Sequence, residues 1–130
     1  MCTFDKRSVE GLALIEQRAL SEKMGSKSMQ ENVKVEIVTL GGVKVYIFTP
    51  TDPDDPSKEI YQGDLIFYHG GGFVLFSVER VYFNYCQTMS KKCKVRVFAV
   101  GYSLGPEFIF PKSFDECYLF GWVFCATFFF

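Results

Sequence analysis

The residues most able to do chemistry form the run His69-Gly70-Gly71-Gly72, which directly follows the apolar stretch of residues 65–68. Three consecutive glycines allow backbone conformations that a side chain would forbid, so the chain can aim several N–H groups at one point. Such donors stabilise an oxygen that becomes negative when a carbonyl group is attacked. A glycine-rich turn without chemistry is the alternative for the glycines alone. The preceding apolar strand, the histidine and the following aromatic residue favour the catalytic interpretation.

A second candidate is Ser103, because residues 101–105 read Gly-Tyr-Ser-Leu-Gly and satisfy the pattern G-x-S-x-G. In a serine hydrolase that serine lies on a sharp turn between a strand and a helix, and the histidine base follows it in the chain. Here Pro106 and Pro111 disfavour a helix directly after Ser103. The single histidine, His69, precedes the serine. We interpret the match as coincidental, so the sequence assigns no catalytic nucleophile.

Composition argues against several other kinds of site. The net charge is −1 and the charges are mixed along the chain, so we expect no nucleic-acid partner. No two cysteines form a Cys-x-x-Cys pair, so we expect no metal site and no cofactor. We favour free, buried thiols for the cysteines, and one or two disulfide bonds are the alternative. The cysteines are Cys2, Cys86, Cys93, Cys117 and Cys125.

The first half of the chain predicts a helix and a hairpin. Residues 8–24 carry apolar side chains at three- and four-residue spacing, which is typical of an amphipathic helix. Residues 33–40 and 43–50 alternate apolar with polar, and Gly41-Gly42 between them permits the positive φ angles of a hairpin turn. The apolar positions of the helix are Val9, Leu12, Ile15, Ala19 and Leu20.

The second half predicts a βαβ arrangement and therefore a parallel sheet with helices on its faces. Residues 65–68 read as a wholly apolar strand of the kind buried on both faces, and residues 95–100 read as another buried strand. Residues 77–93 read as a helix. Ser113 and Glu116 have the spacing of a capping box that opens a further helix through Trp122. The side of the 77–93 helix that we expect to be apolar carries Val81, Tyr85, Thr88 and Met89.

With these blocks in register, the sequence resembles the hormone-sensitive-lipase group of α/β-hydrolases and, within it, arylacetamide deacetylase. Residues 43–50, 65–73 and 97–122 resemble the family's early strand, its oxyanion-hole strand and loop, and its fourth-strand segment. That last segment is usually written D-Y-R-L-A-P-E-x-x-x-P-A-x-x-x-D with a later tryptophan. The matching residues are Tyr102, Leu104, Pro106, Glu107, Pro111, Asp115 and Trp122.

The resemblance implies an α/β-hydrolase fold, incomplete in this chain, with an N-terminal hairpin, parallel strands and flanking helices. It implies hydrolysis of small apolar carboxylic esters, and of arylamides, through a serine nucleophile. His69, Gly70, Gly71 and Gly72 inherit the oxyanion-hole motif, with the amides of Gly70 and Gly71 as donors. We divide the single domain, 1–130, into an N-terminal helical part at 1–29, a family-like core at 30–122 and a divergent tail at 123–130.

The chain departs from the family pattern at two positions of the fourth-strand segment. Gly101 stands where Asp or Asn is common, and Ser103 stands where Arg is usual, which argues further against Ser103 as the nucleophile. We expect a buried ionic or hydrogen-bonded arrangement to be lost at Ser103. Asp115 lies at a helix start, which favours a helix-dipole role over that of a triad acid.

The family's nucleophile and base have no counterpart in this sequence, so the alternative is a catalytically inactive, truncated isoform that serves as a binding or interaction module. In the family's strand order, residues 65–68 would form an apolar sheet edge, which favours self-association.

Residues 1–11 lack the membrane anchor that deacetylase relatives often carry, and the sequence assigns no cellular compartment. The 14 residues 117–130 are uncharged, but a spanning helix needs about 20 residues. Membrane contact through the terminal phenylalanines remains an alternative.

Aromatic residues just after the glycine run leave two interpretations open. Tyr82, Phe83 and Tyr85 could line an acyl pocket or pack in the core. Cys86 and Cys93 are seven residues apart and share one face of the predicted helix. A redox or ligand role is possible in principle, and packing is favoured.

Overall fold

The chain folds around one mixed sheet of four strands. A computed structural model describes residues 9–23 and 25–129. Its elements in chain order are α1 (Val9–Lys23), β1 (Val33–Leu40), β2 (Val43–Pro50), β3 (Asp64–Tyr68), a π-helical turn (Val78–Tyr82) that runs into α2 (Phe83–Cys93), β4 (Arg96–Gly101) and α3 (Lys112–Phe129). The sheet order is β1-β2-β4-β3. This is the partial α/β arrangement that the sequence predicts.

The predicted hairpin is confirmed residue for residue. β1 and β2 pair antiparallel from Val33 opposite Pro50 to Leu40 opposite Val43. Gly41 and Gly42 both have positive φ, 59° and 82°, as a two-residue turn of matching twist requires. β2 continues antiparallel onto β4, and β4 pairs parallel with β3. The parallel pair therefore ends with both carboxyl ends at one edge of the sheet.

Each face of the sheet is covered by one helix, which gives three layers. On one face α2 packs through Phe83 against Phe48 of β2, with ring centroids 5.2 Å apart. On the other face α3 packs through Phe124 against Phe98 of β4, with ring centroids 4.8 Å apart. Both clusters are made of buried side chains. The central strands β2 and β4 supply residues to both, so they form the core of the described fold.

The predicted apolar stripe of α1 is not the face that packs. Val9, Leu12 and Leu20 are 81%, 54% and 62% exposed, whereas Gly11 is buried. The half-buried side chains include Arg18, which makes long-range hydrogen bonds. The hydrogen bonds of Arg18 and the burial of Gly11 therefore decide which face of this helix packs, more than the spacing of its apolar residues does.

The predicted face of the 77–93 helix is also wrong. Buried positions in α2 are Phe83, Cys86, Gln87 and Ser90, while Tyr85 is 55% exposed. A π-helical turn contains more residues than an α-helical turn. The one before α2 therefore rotates every later side chain around the helix axis. Buried Gln87 is accommodated because its side-chain amide accepts from the Gln30 N–H and donates to the Ser28 carbonyl.

The predicted capping box at the start of α3 does not form. The helix begins at Lys112, so Ser113 already lies inside its first turn. The Ser113 hydroxyl donates to the carbonyl oxygen of Ser103, and the Glu116 carboxylate accepts from Ser103. Ser113 and Glu116 therefore both bond to Ser103 in the preceding loop, and the two reciprocal hydrogen bonds of a capping box are not formed.

β3 lies at one edge of the described sheet and is more exposed than its apolar sequence predicts. Leu65 and Tyr68 are 37% and 41% exposed. The adjacent face of α3 also exposes large apolar side chains. These are Phe114, Tyr118 and Trp122. Over the described ranges, none of the helices is both apolar enough and long enough to cross a bilayer.

Candidate active site

The glycine run follows β3 directly and begins a loop, residues 69–76, that we call the glycine loop. Gly71 and Gly72 have φ of 120° and 62°. A Cβ built on Gly71 would lie 2.2 Å from the carbonyl oxygen of Leu75, whereas a Cβ on Gly70 would lie 3.5 Å from the Tyr82 hydroxyl. Position 71 therefore requires glycine, both because of its positive φ and because a Cβ would clash. Position 70 requires glycine for neither reason.

The loop folds back on itself and leaves part of its backbone available. The N–H groups of Val74 and Leu75 donate to the carbonyl oxygen of Gly71, at 3.2 and 2.9 Å. Within the described part of the chain, the N–H groups of Gly70 and Gly71 donate to no backbone carbonyl. N–H groups in this state can bind an incoming oxygen atom.

A cavity of about 370 Å³ lies beside these glycines. Its walls are mainly aromatic and apolar, which suits an uncharged organic group rather than a charged one. The lining residues are Tyr68, His69, Gly70, Gly72, Phe73, Tyr102, Phe114 and Cys117. Glycine backbone and apolar wall therefore meet in one place, as binding of an ester carbonyl requires.

His69 is part of the framework of the loop. It is 5% exposed and stacks on Tyr102, with ring centroids 4.3 Å apart and planes 8° apart. Its Nδ1 lies 2.8 Å from the carbonyl oxygen of Gly70, so Nδ1 carries the proton and donates. The Tyr102 hydroxyl donates to the His69 carbonyl oxygen. Burial lowers the pKa of His69, and the bond to Gly70 opposes only part of that shift.

Ser103 lies in the loop after β4, where no helix follows it directly. Its hydroxyl donates to Glu116 Oε1 at 2.8 Å, and its N–H donates to Glu116 Oε2 at 2.6 Å. The expected loss of a hydrogen-bonded arrangement at this position is therefore wrong, because Glu116 reaches the serine directly. Burial raises the pKa of Glu116, but hydrogen bonds from Lys112 and Ser103 outweigh it and the net shift is downward. Such a carboxylate is a weak base for activating the serine.

Of the other residues that the sequence singled out, Cys117 lines the cavity, and the aromatic residues after the glycine run lie apart from it. Phe83 is in the core, Tyr85 is exposed, and Tyr82 packs against Phe67 and His69. The described cysteines are free thiols: Cys86 is buried, Cys93 and Cys125 are exposed, and Cys117 is half-buried. The prediction that Cys93 packs in the core is therefore wrong. Cys2 lies outside the described residues.

Metal binding finds no support in the described part of the chain, where no three His, Cys, Asp or Glu side chains come together in a way that could hold an ion. Asp115 lies in the first turn of α3, as predicted from its place at a helix start. Tyr102 and Arg18 are the contributors that sequence reasoning missed. The stacking of Tyr102 on His69 has no local signal, because the two residues lie 33 positions apart.

Comparison with known proteins gives consistent matches. A family model described as alpha/beta hydrolase fold matches residues 65–125. Versiconal hemiacetal acetate esterase of Emericella nidulans is 38% identical over 86 residues, which are 66% of this chain and 28% of the relative. Tuliposide A-converting enzyme 2, chloroplastic, of Tulipa gesneriana is 37% identical over 84 residues, 63% of this chain and 22% of the relative. The matches thus span about a quarter of these relatives' length.

Solved structures agree on the fold. A hormone-sensitive lipase from a metagenome library superposes with a TM-score of 0.72 at 22% identity, over 94% of this chain and 39% of that one. An esterase/lipase from an uncultured bacterium gives a TM-score of 0.67 at 22% identity, over 88% of this chain and 37% of that one. At this identity the likeness concerns the fold alone.

Gly71→Ala and Gly70→Ala form a matched pair that tests the loop geometry. We expect Gly71→Ala to destabilise the chain by about 1–3 kcal/mol, because its φ is unfavourable for a side chain and the added carbon meets the Leu75 carbonyl. Gly70→Ala is expected to change stability little, because its added carbon makes an ordinary contact. Urea unfolding followed by circular dichroism measures both. Equal effects of the two variants would contradict the described loop.

The imidazole of His69 should titrate below its ordinary pKa of 6.5, because burial disfavours the charged form. The unfolded chain then binds a proton that the folded chain resists, so stability falls as the pH drops below 6.5. Since the chain has one histidine, its NMR titration is unambiguous. A measured pKa at or above 6.5 would contradict the buried, neutral assignment. His69→Gln should remove the corresponding slope in unfolding free energy.

Proposed function

We propose that this chain, whose fold is that of the α/β-hydrolases, supplies the oxyanion hole of a carboxylic-ester hydrolase. The observation that carries the proposal is the position of the glycine loop. It starts at the carboxyl end of a parallel strand, where ligands of α/β sheets bind. Gly70 and Gly72 of the loop line an apolar cavity of about 370 Å³, and within the described residues the N–H groups of Gly70 and Gly71 donate to no backbone carbonyl.

In the proposed reaction the carbonyl oxygen of an ester faces the N–H groups of Gly70 and Gly71. Attack on the carbonyl carbon moves negative charge onto that oxygen, and the two N–H groups stabilise it. Removing one such donor typically lowers the rate about 10²–10³-fold. The neutral imidazole of His69 holds the loop through the Gly70 carbonyl and leaves no charge beside the apolar wall.

The nucleophile and its base are placed outside residues 1–130. A serine needs a positioned base to react at neutral pH, and the one histidine of the sequence already belongs to the glycine loop. Sequencing the genomic region downstream of the Trp122 codon tests this. Coding sequence for a G-x-S-x-G elbow followed by an acidic residue and a histidine would support the proposal, and a genomic region without one would contradict it.

The substrate class follows from the cavity and the relatives. Aromatic walls formed by Tyr68, Phe73, Tyr102 and Phe114 favour a small apolar acyl or aryl group. The Emericella relative is a hemiacetal acetate esterase by name. We therefore assign small apolar esters as the first class to test, with arylamides second because of the resemblance to arylacetamide deacetylase.

A second candidate function is that of an interaction module, and the open side of the sheet favours it. We define the open edge as β3 together with the exposed face of α3, which form the walls of a groove of about 600 Å³. The groove walls include Ile66, Tyr68, Tyr118 and Trp122. We assign a second copy of the chain as the occupant. The net charge of −1 gives little repulsion between copies, and an unpaired strand edge is a template for pairing.

The chain assayed by itself should not turn over esters. Ser103 donates to Glu116, a carboxylate of lowered pKa, so its hydroxyl lacks an effective base. We expect the unmodified chain and Ser103→Ala to hydrolyse p-nitrophenyl acetate at the same background rate. A higher rate for the unmodified chain, abolished by Ser103→Ala, would make Ser103 the nucleophile and overturn our assignment.

Self-association should depend on β3 and not on the opposite edge strand. We expect Leu65→Lys combined with Trp122→Lys to shift sedimentation in the ultracentrifuge toward monomer, because both side chains are exposed on the open edge. Ile37→Lys on β1, which is 52% exposed, is the matched control and should leave association unchanged. A monodisperse unmodified chain, or equal effects of both changes, would contradict the interaction module.

A further inference from the structure

Arg18 of α1 joins the N-terminal helix to the glycine loop across a large sequence distance. Its guanidinium Nη1 lies 3.3 Å from the carbonyl oxygen of Val74 and 3.0 Å from that of Gly105. Nη2 donates to the Glu107 carboxylate. The Arg18 side chain is 14% exposed, so these hydrogen bonds are largely shielded from water. One side chain thus holds two loops that follow neighbouring parallel strands.

The segment after β4 holds the glycine loop from the same side. The N–H of Gly105 donates to the carbonyl oxygen of Phe73 at 2.7 Å. Arg18 donates to the carbonyl oxygen of Gly105 and also to that of Val74, and so holds both peptide groups. The planar guanidinium can serve these acceptors together, because its donors form a rigid fork. The loop is therefore bound to a frame that includes α1.

The glycine loop needs such a frame because its conformation is unfavourable in itself. Phe73 and Phe76 have φ of 60° and 69°, in the left-handed region that bulky side chains avoid. Such a residue persists only when its surroundings hold it in place. Without external hydrogen bonds we expect the loop to relax, and the N–H groups of Gly70 and Gly71 to lose their shared direction.

We propose that Arg18 is a positioning residue of the oxyanion hole, which it sets in place through Val74 and through the Gly105–Glu107 segment. This inference rests on the proposed function for its purpose, but the ordering of the loop can be measured without any substrate. α1 is then a working part of the site, and its polar contact explains why its apolar stripe faces outward.

Hydrogen–deuterium exchange with mass spectrometry tests the proposal on the full chain. The reporters are peptides spanning 69–76, where the N–H groups of Val74 and Leu75 donate to Gly71 and contact no atom of Arg18 directly. The internal references are peptides from β2 and β4. Arg18→Ala removes the guanidinium, Arg18→Lys keeps the charge without the fork, and Gln17→Ala changes an exposed neighbour on the same helix.

We expect exchange in 69–76 to accelerate about tenfold in Arg18→Ala, with a smaller acceleration in Arg18→Lys. The β2 and β4 peptides and the Gln17→Ala variant should match the unmodified chain. Should Arg18→Ala unfold, as circular dichroism would reveal, Arg18→Lys alone decides. Unchanged exchange in 69–76, or equal acceleration in β2 and β4, would make Arg18 merely structural. Either result leaves the ester-hydrolase proposal to its own tests.

Discussion

The absence of a side chain at Gly71 is the constraint on which the site depends. With φ at 120° and the Leu75 carbonyl 2.2 Å from where a Cβ would lie, the chain reverses so tightly that the Gly71 carbonyl accepts from two later N–H groups. The Gly71 carbonyl is thereby occupied inside the loop. The N–H groups of Gly70 and Gly71 donate to no backbone carbonyl of the described residues, and Gly70 lines the cavity. N–H groups in this state are the donors that the proposed oxyanion hole requires.

Sheet register then brings the partners of this turn together. β3 pairs with β4 so that Tyr68 lies opposite Val100, and the residues just beyond them, His69 and Tyr102, stack. A slip of one strand by one residue would turn its side chains to the other face of the sheet and separate the two rings. Hydrogen bonds between the two loops, from Tyr102 to His69 and from Gly105 to Phe73, continue the pairing beyond the strands. The proposed oxyanion hole is in this sense an extension of the parallel ladder.

Local patterns predicted what local forces determine. The hairpin followed from alternation and from Gly41-Gly42, since both the turn and the pairing lie within 18 residues. The position of the glycine run after a strand was predictable for the same reason. The packed face of α1 was not predictable, because long-range hydrogen bonds of Arg18 set it. That of α2 was not either, because a π-helical turn and the buried hydrogen bonds of Gln87 set it. The Ser113 capping box failed because Ser103, ten residues away in sequence, supplied a competing acceptor. Arg18 acts on residues 56 and 87 positions away, so no short motif could identify it.

The two edges of the sheet differ in how they meet solvent. β1 presents Lys34 and Glu36, with Glu59 on Lys34, and charges of this kind oppose pairing with another strand. In β3 the one charged residue is Asp64, which is engaged by Arg96 at the start of the strand, and the next four residues are apolar or aromatic. Trp122 and Tyr118 on α3 are 61% and 60% exposed beside that edge. Leaving such side chains in water costs about 25 cal/mol for each Å² of apolar surface that could be buried. The open edge is therefore the surface with the most to gain from being covered, and it borders the cavity through Tyr68, Phe114 and Cys117. Whatever covers β3 also completes the wall of the proposed active site.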